Sequence, residues 1–337
     1  MKYYPVLLSK AGELIALEKL AQNVKNSSAP IIQVVEDNFT SVSDHLKNNW
    51  SFTNNEVLLD FSLIDNLSGK MPDVTLLITD SVANGINIIP VIDSNSPTAY
   101  ITTIRSLVNQ FNLKVCLREI NPSNLISLNS QIASILNTFS ISESQIILLL
   151  DLGYVQASNF SLKANNIAAL IGGLINVSNF DAIVVASGSF PENLSPFNAN
   201  QLHIIRRYEN DIWEYLIMQN LPQNLRYGDY GTKYPTYTNV SFTGTCSIKY
   251  TTAKTFAIYR GELSQNHPLG NAQYIQFAKQ LVLASHYSGS SFSWGDQKIE
   301  TISLQSLSPP PRLKPGNAKT WVEISQNHHI TLLESIL

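Results

Sequence analysis

A series of short, unbroken apolar runs, each ending on a polar or charged residue, constrains this chain most. The runs are Tyr4–Leu8, Ile31–Val35, Val57–Phe61, Ile88–Ile92, Lys114–Leu117, Ile146–Leu150, Ala182–Ala186 and a weaker Leu225–Tyr227. Strands of a parallel sheet are covered on both faces, so they read as continuous Val, Ile and Leu rather than as an alternation. Helix-like segments separate the runs, and eight strands alternating with helices predict an α/β fold closed as a (β/α)8 TIM-type barrel. An open doubly wound sheet is the alternative that the alternation also permits. In a barrel, the carboxyl ends of the strands form the site, and this chain concentrates charge at those ends.

Helical spacing supports the alternation. Leu14, Leu17, Leu20 and Ala21 predict a helix over 13–25 with Ser9 as a candidate cap. Further helices are expected over 42–47, 97–110, 125–137, 163–176 and 198–219, with one over 67–84 interrupted by Pro72. After Tyr230 the pattern changes. Residues 240–250 and 254–260 alternate apolar and polar, predicting a β-hairpin inserted near the eighth strand, and 271–286 return to helical spacing. Residues 1–288 are therefore expected to form the barrel, with the hairpin insertion at 240–260. Residues 289–337 are expected to form an ordered C-terminal extension packed on it. Pro309-Pro310-Pro311 would be a stiff spacer within that extension, and Trp294 and Trp321 would be core or lid aromatics.

Of the 337 residues, 44% are hydrophobic, enough for a large core, and the net charge is −3 with no dense basic block. That balance disfavours nucleic acid as a partner. Cys116 and Cys246 form no disulfide framework or metal spacing and are expected to be buried thiols. No basic-then-apolar leader and no membrane-length apolar run is present, so a cytoplasmic chain without a membrane partner is expected.

Three sets of landmarks carry a family resemblance: Tyr4-Pro5-Val6-Leu7-Leu8-Ser9-Lys10-Ala11-Gly12-Glu13-Leu14, Phe292-Ser293-Trp294-Gly295-Asp296, and Trp321 with Asn327-His328-His329-Ile330-Thr331. In their order and span the chain resembles the phage beta protein family. The resemblance implies a phage or prophage context of phage–host conflict or defence, and it implies no chemistry.

The residues themselves suggest chemistry. Glu36, Asp60, Asp151 and Asp229 follow well-separated strands and would converge on one mouth. Asp60 and Asp151 would hold a hard divalent cation such as Mg²⁺, and Glu36, Asp151 and Asp229 would supply general acid or base. Lys10 and Arg118 would bind a small anionic ligand, helped by Ser187, Ser189 and Tyr230 in glycine-containing turns suited to phosphate. Capping and structural ion pairing are the plain alternatives for each of these residues. His328-His329 has no third ligand for zinc and reads as a packed pair. The expected function is a cation-assisted hydrolase or phosphodiesterase acting on a phosphorylated or nucleotide-like ligand. The alternative is a non-catalytic interaction protein that meets a phage or host protein.

Overall fold

The computed structural model describes residues 2–53, 55–239, 244–307 and 314–337. In chain order they form β1 (Tyr4–Leu8), α1 (Ala11–Glu18), α2 (Gln22–Ser27), β2 (Ile31–Gln33), α3 (Phe39–Asn49), β3 (Glu56–Asp60) and α4 (Met71–Ala83). Next come β4 (Asn87–Ile92), α5 (Thr98–Phe111), β5 (Val115–Ile120), α6 (Leu125–Phe139), β6 (Ile146–Tyr154), α7 (Phe160–Gly172) and β7 (Ala182–Gly188). They are followed by β8 (Gln201–Arg206), α8 (Tyr208–Ile217), β9 (Leu225–Asp229), β10 (Thr245–Thr251) and β11 (Thr255–Leu263). The chain ends with α9 (Gln273–Val282), α10 (Trp294–Ser303) and α11 (Ala318–Ile336).

Two compact units share these elements. The first comprises the chain up to Ser9, Lys25–Ser189 and Tyr208–Tyr230. The second comprises Lys10–Val24, Phe190–Arg207 and Gly231–Leu337. This division cuts across the boundary expected at residue 288. The helix expected first and the helix expected eighth both belong to the second unit, as do the hairpin and the C-terminal extension.

The first unit is a closed barrel of eight parallel strands in the order β1-β2-β3-β4-β5-β6-β7-β9. Closure is made by Tyr4 opposite Gly228 and Pro5 opposite Asp229. Successive side chains of a strand point to opposite faces, so every second residue enters the interior. Val6, Ile31, Leu58, Ile89, Val91, Cys116, Ile147, Leu149, Val184 and Ala186 pack together there. Gly228 is glycine for a steric reason: a Cβ at this inward position would stand 3.0 Å from the Tyr4 carbonyl and 3.1 Å from Val184.

Several expected elements are revised. Pro72 does not break its segment but sits in the first turn of α4, where its missing N–H has no helical partner to lose. The helix predicted over 13–25 divides into α1 and α2, and Ser9 does not cap it. Its Oγ accepts from Val35 N at 2.9 Å instead. The helix predicted over 198–219 is wrong in its first half. Gln201–Arg206 is a strand antiparallel to β11, because Leu202, Ile204 and Arg206 alternate with His203 and Ile205 at period two, and Arg207 ends the run before α8 begins.

In the second unit, β10, β11 and β8 form an antiparallel sheet in that order, so the hairpin gains a third strand. The expected residues 240–243 of the hairpin and the triple proline lie outside the described residues. On one face of the sheet, Cys246, Ile248, Tyr250, Ala257 and Tyr259 share a core with α9, α10 and α11 through Ile275, Phe277, Ile299, Trp321 and Ile324.

The second and third landmark motifs meet inside this unit. Ser293 caps α10 by accepting from Asp296 N at 3.0 Å. Gly295 N donates to Asn327 Oδ1 at 2.9 Å, and Asn327 Nδ2 donates to the Ala16 carbonyl at 3.0 Å. Gly295 lets α10 approach α11, since a Cβ there would stand 2.5 Å from the Ile324 carbonyl. His328 is wholly buried, with Nδ1 2.8 Å from Asp296 Oδ2 and Nε2 2.9 Å from the Thr251 carbonyl. Its ring stacks on Tyr250 at 3.9 Å, while Tyr250 Oη donates to Asp296 Oδ1 at 2.8 Å. His329 Nδ1 lies 2.9 Å from Thr251 Oγ1. The adjacent histidines thus diverge and pack, as two neighbours on a helix must.

At the amino end of the barrel strands, Glu56 pairs with Lys2 and Lys114 at 2.7 Å each, and Lys114 also pairs with Asp181 at 2.7 Å. Burial opposes ionisation of Glu56, but the hydrogen bonds from Lys114 and Lys2 outweigh it and hold the carboxyl below its ordinary range. A depressed carboxylate stabilises the fold above its unfolded pKa, and that stability is lost as pH falls through the folded value. Glu56→Gln is therefore expected to cost about 1 kcal/mol at pH 7, with the deficit closing as pH falls below the ordinary glutamate range. Thermal unfolding of both proteins across pH 7 to 3 measures it.

Candidate functional site

The interior parity of the strands sorts the expected site residues. In each strand the residue two beyond a core position also faces inward, which brings Gln33, Asp60, Arg118, Asp151 and Tyr230 to one mouth of the barrel. Arg118 lies between the acids. Its Nη1 is 2.5 Å from Asp60 Oδ2, and its Nη2 and Nε are 2.5 and 3.0 Å from Asp151 Oδ2. Tyr230 Oη donates to Asp151 Oδ2 at 2.5 Å and accepts from Arg118 Nη2 at 3.1 Å. Gln33 Nε2 donates to Asp60 Oδ2 at 3.2 Å. The remaining carboxylate oxygens accept from Ser62 N and Gly153 N, each at 2.9 Å.

Burial works against the charge of Arg118, but Asp60, Tyr230 and Asp151 around it raise its pKa. Burial, with the field of Asp151, likewise raises the Tyr230 phenol far above its ordinary value, so it stays protonated and donates. The cation expected between Asp60 and Asp151 is thus supplied by the chain itself as a guanidinium. Among the described residues no group of three or more His, Cys, Asp or Glu is arranged to hold a metal ion.

The other expected residues do not join this cluster. Asp229 has the opposite parity from Tyr230 and Gly228. It accepts from Tyr3 Oη at 2.6 Å and from Tyr227 Oη at 3.1 Å. Ser187 and Ser189 also point away from the interior. Ser189 Oγ accepts from Tyr208 N at 3.2 Å at the start of α8 and donates to Glu209. Glu36 is exposed in the turn after β2, in the left-handed region at φ 54°. Lys10 belongs to the second unit, where it stands at the N-terminus of α1 with its ammonium 4.9 Å from the centre of the Tyr237 ring.

The second unit holds a cavity of about 640 Å³ that sequence reasoning missed. The polar face of β10 forms one wall: Thr245, Ser247 and Lys249 line it, while Cys246, Ile248 and Tyr250 face the core. Arg260, directly across the ladder from Ser247, Glu13 from α1, and Trp321 from α11 also line it. Glu13 pairs with Lys233, another lining residue, at 3.4 Å. Lys249 Nζ donates to the Thr232 carbonyl at 3.1 Å and stands 4.3 Å from the centre of the Phe190 ring. Enclosure in the cavity wall lowers its pKa to about 8, against the opposing pull of Glu13. The period-two pattern of the hairpin held the signal: it puts Lys249 on the same face as Ser247.

A closed eight-stranded α/β barrel with an internally hydrogen-bonded charge cluster at its mouth, in a chain that carries a second α/β unit with a polar cavity, defines the class of protein. The chain belongs to the Beta protein family, which matches it over residues 3–333. None of the curated proteins compared matches it. Among solved structures it is similar to a mutant tryptophan synthase α-subunit from Pyrococcus furiosus, at 10% identity and TM-score 0.43, covering 68% of this chain and 87% of that one. It is also similar to a type I 3-dehydroquinate dehydratase from Clostridium difficile, at 11% identity and TM-score 0.41, covering 70% and 87%. A third is phosphoribosyl anthranilate isomerase from Thermococcus kodakaraensis, at 11% identity and TM-score 0.35, covering 68% and 88%. At these values no reading of chemistry passes from them to this chain.

Two outcomes follow. Arg118→Met leaves two buried carboxylates uncompensated and is expected to cost about 3–5 kcal/mol, read as a shift of the urea unfolding midpoint. Lys249→Met behaves oppositely. A lysine whose folded pKa lies below its unfolded value destabilises the fold most when pH is below both, and the penalty fades as pH rises between them. The variant is therefore expected to melt a few degrees above the wild type at pH 7, with the advantage shrinking above pH of about 8.

Proposed function

We propose that the protein binds a small anionic ligand in the cavity of its second unit. The observation that carries this reading is Lys249, a cation set in the cavity wall with one hydrogen bond and no ion pair among the described residues. Arg260 stands two positions further along the same sheet face, and a planar guanidinium suits a carboxylate or phosphate. Trp321 and Tyr274, stacked with ring centres 5.0 Å apart, add an apolar wall, as small-molecule sites require. A cation-assisted hydrolase at the barrel mouth has less support, because Asp60 and Asp151 are already spent on Arg118. A phage–host setting for the bound ligand rests on the family resemblance alone. A cytoplasmic placement agrees with Cys116 and Cys246 being unpaired and buried, and among the described residues no helix is long and apolar enough to cross a membrane.

Inorganic phosphate is the first probe. It is expected to raise the melting temperature of the wild type in the millimolar range and to quench Trp321 fluorescence. Both responses should weaken about tenfold in Arg260→Ala, the worth of one charge-assisted hydrogen bond. An unchanged response in that variant would remove the cavity from consideration.

A second reading, an interaction protein, is favoured by one feature. The edge strand β8 leaves Leu202 and Ile204 45% and 55% exposed, and an exposed apolar edge invites strand addition by a partner. Replacing both with Lys is expected to leave phosphate binding intact and to abolish any pull-down of a host protein.

A further inference from the structure

We propose that Lys249 is a carbonyl-capturing residue, forming a Schiff base with a small 2-oxo acid held in this cavity. The inference deepens the anion-binding reading and rests on it. The geometry behind it is specific. An ammonium has three protons to donate, and Lys249 places one, on the Thr232 carbonyl. The neighbouring carboxylate of Glu13 is engaged with Lys233 at 3.4 Å. Lys249 stands beside the Phe190 ring and opens on a cavity large enough for a metabolite. That desolvated setting favours the free amine, the form that attacks carbonyls.

The sheet register supplies the second half of the argument. Arg260 pairs with Ser247, and Ser247 precedes Lys249 by two residues on the same face. Two residues along a strand span about 7 Å, within the combined reach of a lysine and an arginine side chain converging on one small molecule. In a 2-oxo acid the carboxylate and the ketone are on adjacent carbons, so a guanidinium can hold the first while the amine meets the second. The Ser247 and Thr245 hydroxyls on the same wall would receive the carbonyl oxygen.

The step balances without any co-reactant. The neutral amine of Lys249 adds to the ketone carbon, forming a C–N bond and moving the carbonyl π pair onto oxygen. A proton passes from nitrogen to that oxygen, giving a carbinolamine. Protonation of the hydroxyl from solvent, which took up the proton that Lys249 gave up in becoming the neutral amine, lets the C–O bond break and water leave. The product is an iminium on Nζ, whose positive charge remains close to the carboxylate of the bound acid.

The test uses the full chain with pyruvate as probe, reduced by cyanoborohydride, followed by peptide mass spectrometry. A carboxyethyl adduct is expected on Lys249 ahead of exposed lysines such as Lys19 and Lys319, with yield rising as pH approaches about 8. Arg260→Ala is expected to need about tenfold more pyruvate for the same yield, and Lys249→Arg to lose the adduct while still answering to phosphate. Labelling confined to exposed lysines, or spread evenly over all of them, would overturn the proposal. If phosphate raises the melting temperature but Lys249 stays unlabelled, Schiff-base formation falls and anion binding stands. If neither response is seen, both fall together. Site mapping on the wild type needs no variant, so a poorly folding substitution would not blur the result.

Discussion

Side-chain alternation along a strand is the constraint on which both units depend. In the barrel it decides that Asp60, Arg118, Asp151 and Tyr230 share an interior mouth while Asp229, one residue from Tyr230, is turned outward to Tyr3 and Tyr227. In the hairpin it decides that Lys249 lines a cavity while its neighbours Ile248 and Tyr250 enter a hydrophobic core. A single-residue slip of either register would exchange the two sets and bury charge among aliphatics. The cost of burying an unpaired charge makes such slips prohibitive. The same charges that would make a slip costly are the ones that line the mouth and the cavity.

The mouth of the barrel shows how a strand-end cluster can be complete in itself. Two carboxylates, a guanidinium, a phenol, an amide and two backbone N–H groups satisfy one another within hydrogen-bond distance. Arg118 has a delocalised charge and a fixed fork of donors, which lets one residue bridge acids from β3 and β6. The cavity of the second unit is the converse. There Lys249 and Arg260 donate hydrogen bonds to backbone carbonyls rather than to carboxylates.

The barrel was legible in the sequence because a buried parallel strand has no choice of composition. The eight expected runs became the eight barrel strands, and the acids at two of their ends, Asp60 and Asp151, both bond Arg118. Glu36 and Asp229 were grouped with them because proximity to a strand end was read without parity, and parity is fixed only once the interior positions are known. Gln201–Arg206 reads as helix in the sequence because the helical spacing of α8 follows it directly. Its pairing partner, β11, lies about fifty residues further along the chain and leaves no local mark. Lys249 stood in a segment correctly read as a hairpin. What made it informative was the wall built around it by Phe190, Thr232 and Trp321, residues from three separate stretches of chain. The three landmark motifs could be seen in the sequence, but that the second and third share one hydrogen-bonded knot needed the fold.

That knot has a consequence for how the protein is made. The second unit is assembled from three stretches of chain, and the Asn327 side chain that seals it reaches back 311 positions to the Ala16 carbonyl. During synthesis, α1 leaves the ribosome about three hundred residues ahead of α11 and must wait for it. The barrel strands emerge in the order in which they pair, so they can begin docking as they appear. Loop closure over such a span delays the second unit until α11 has emerged. A ribosome stalled before α11 would hold every barrel strand but an unfinished second unit, its apolar helix faces open to chaperones and proteases.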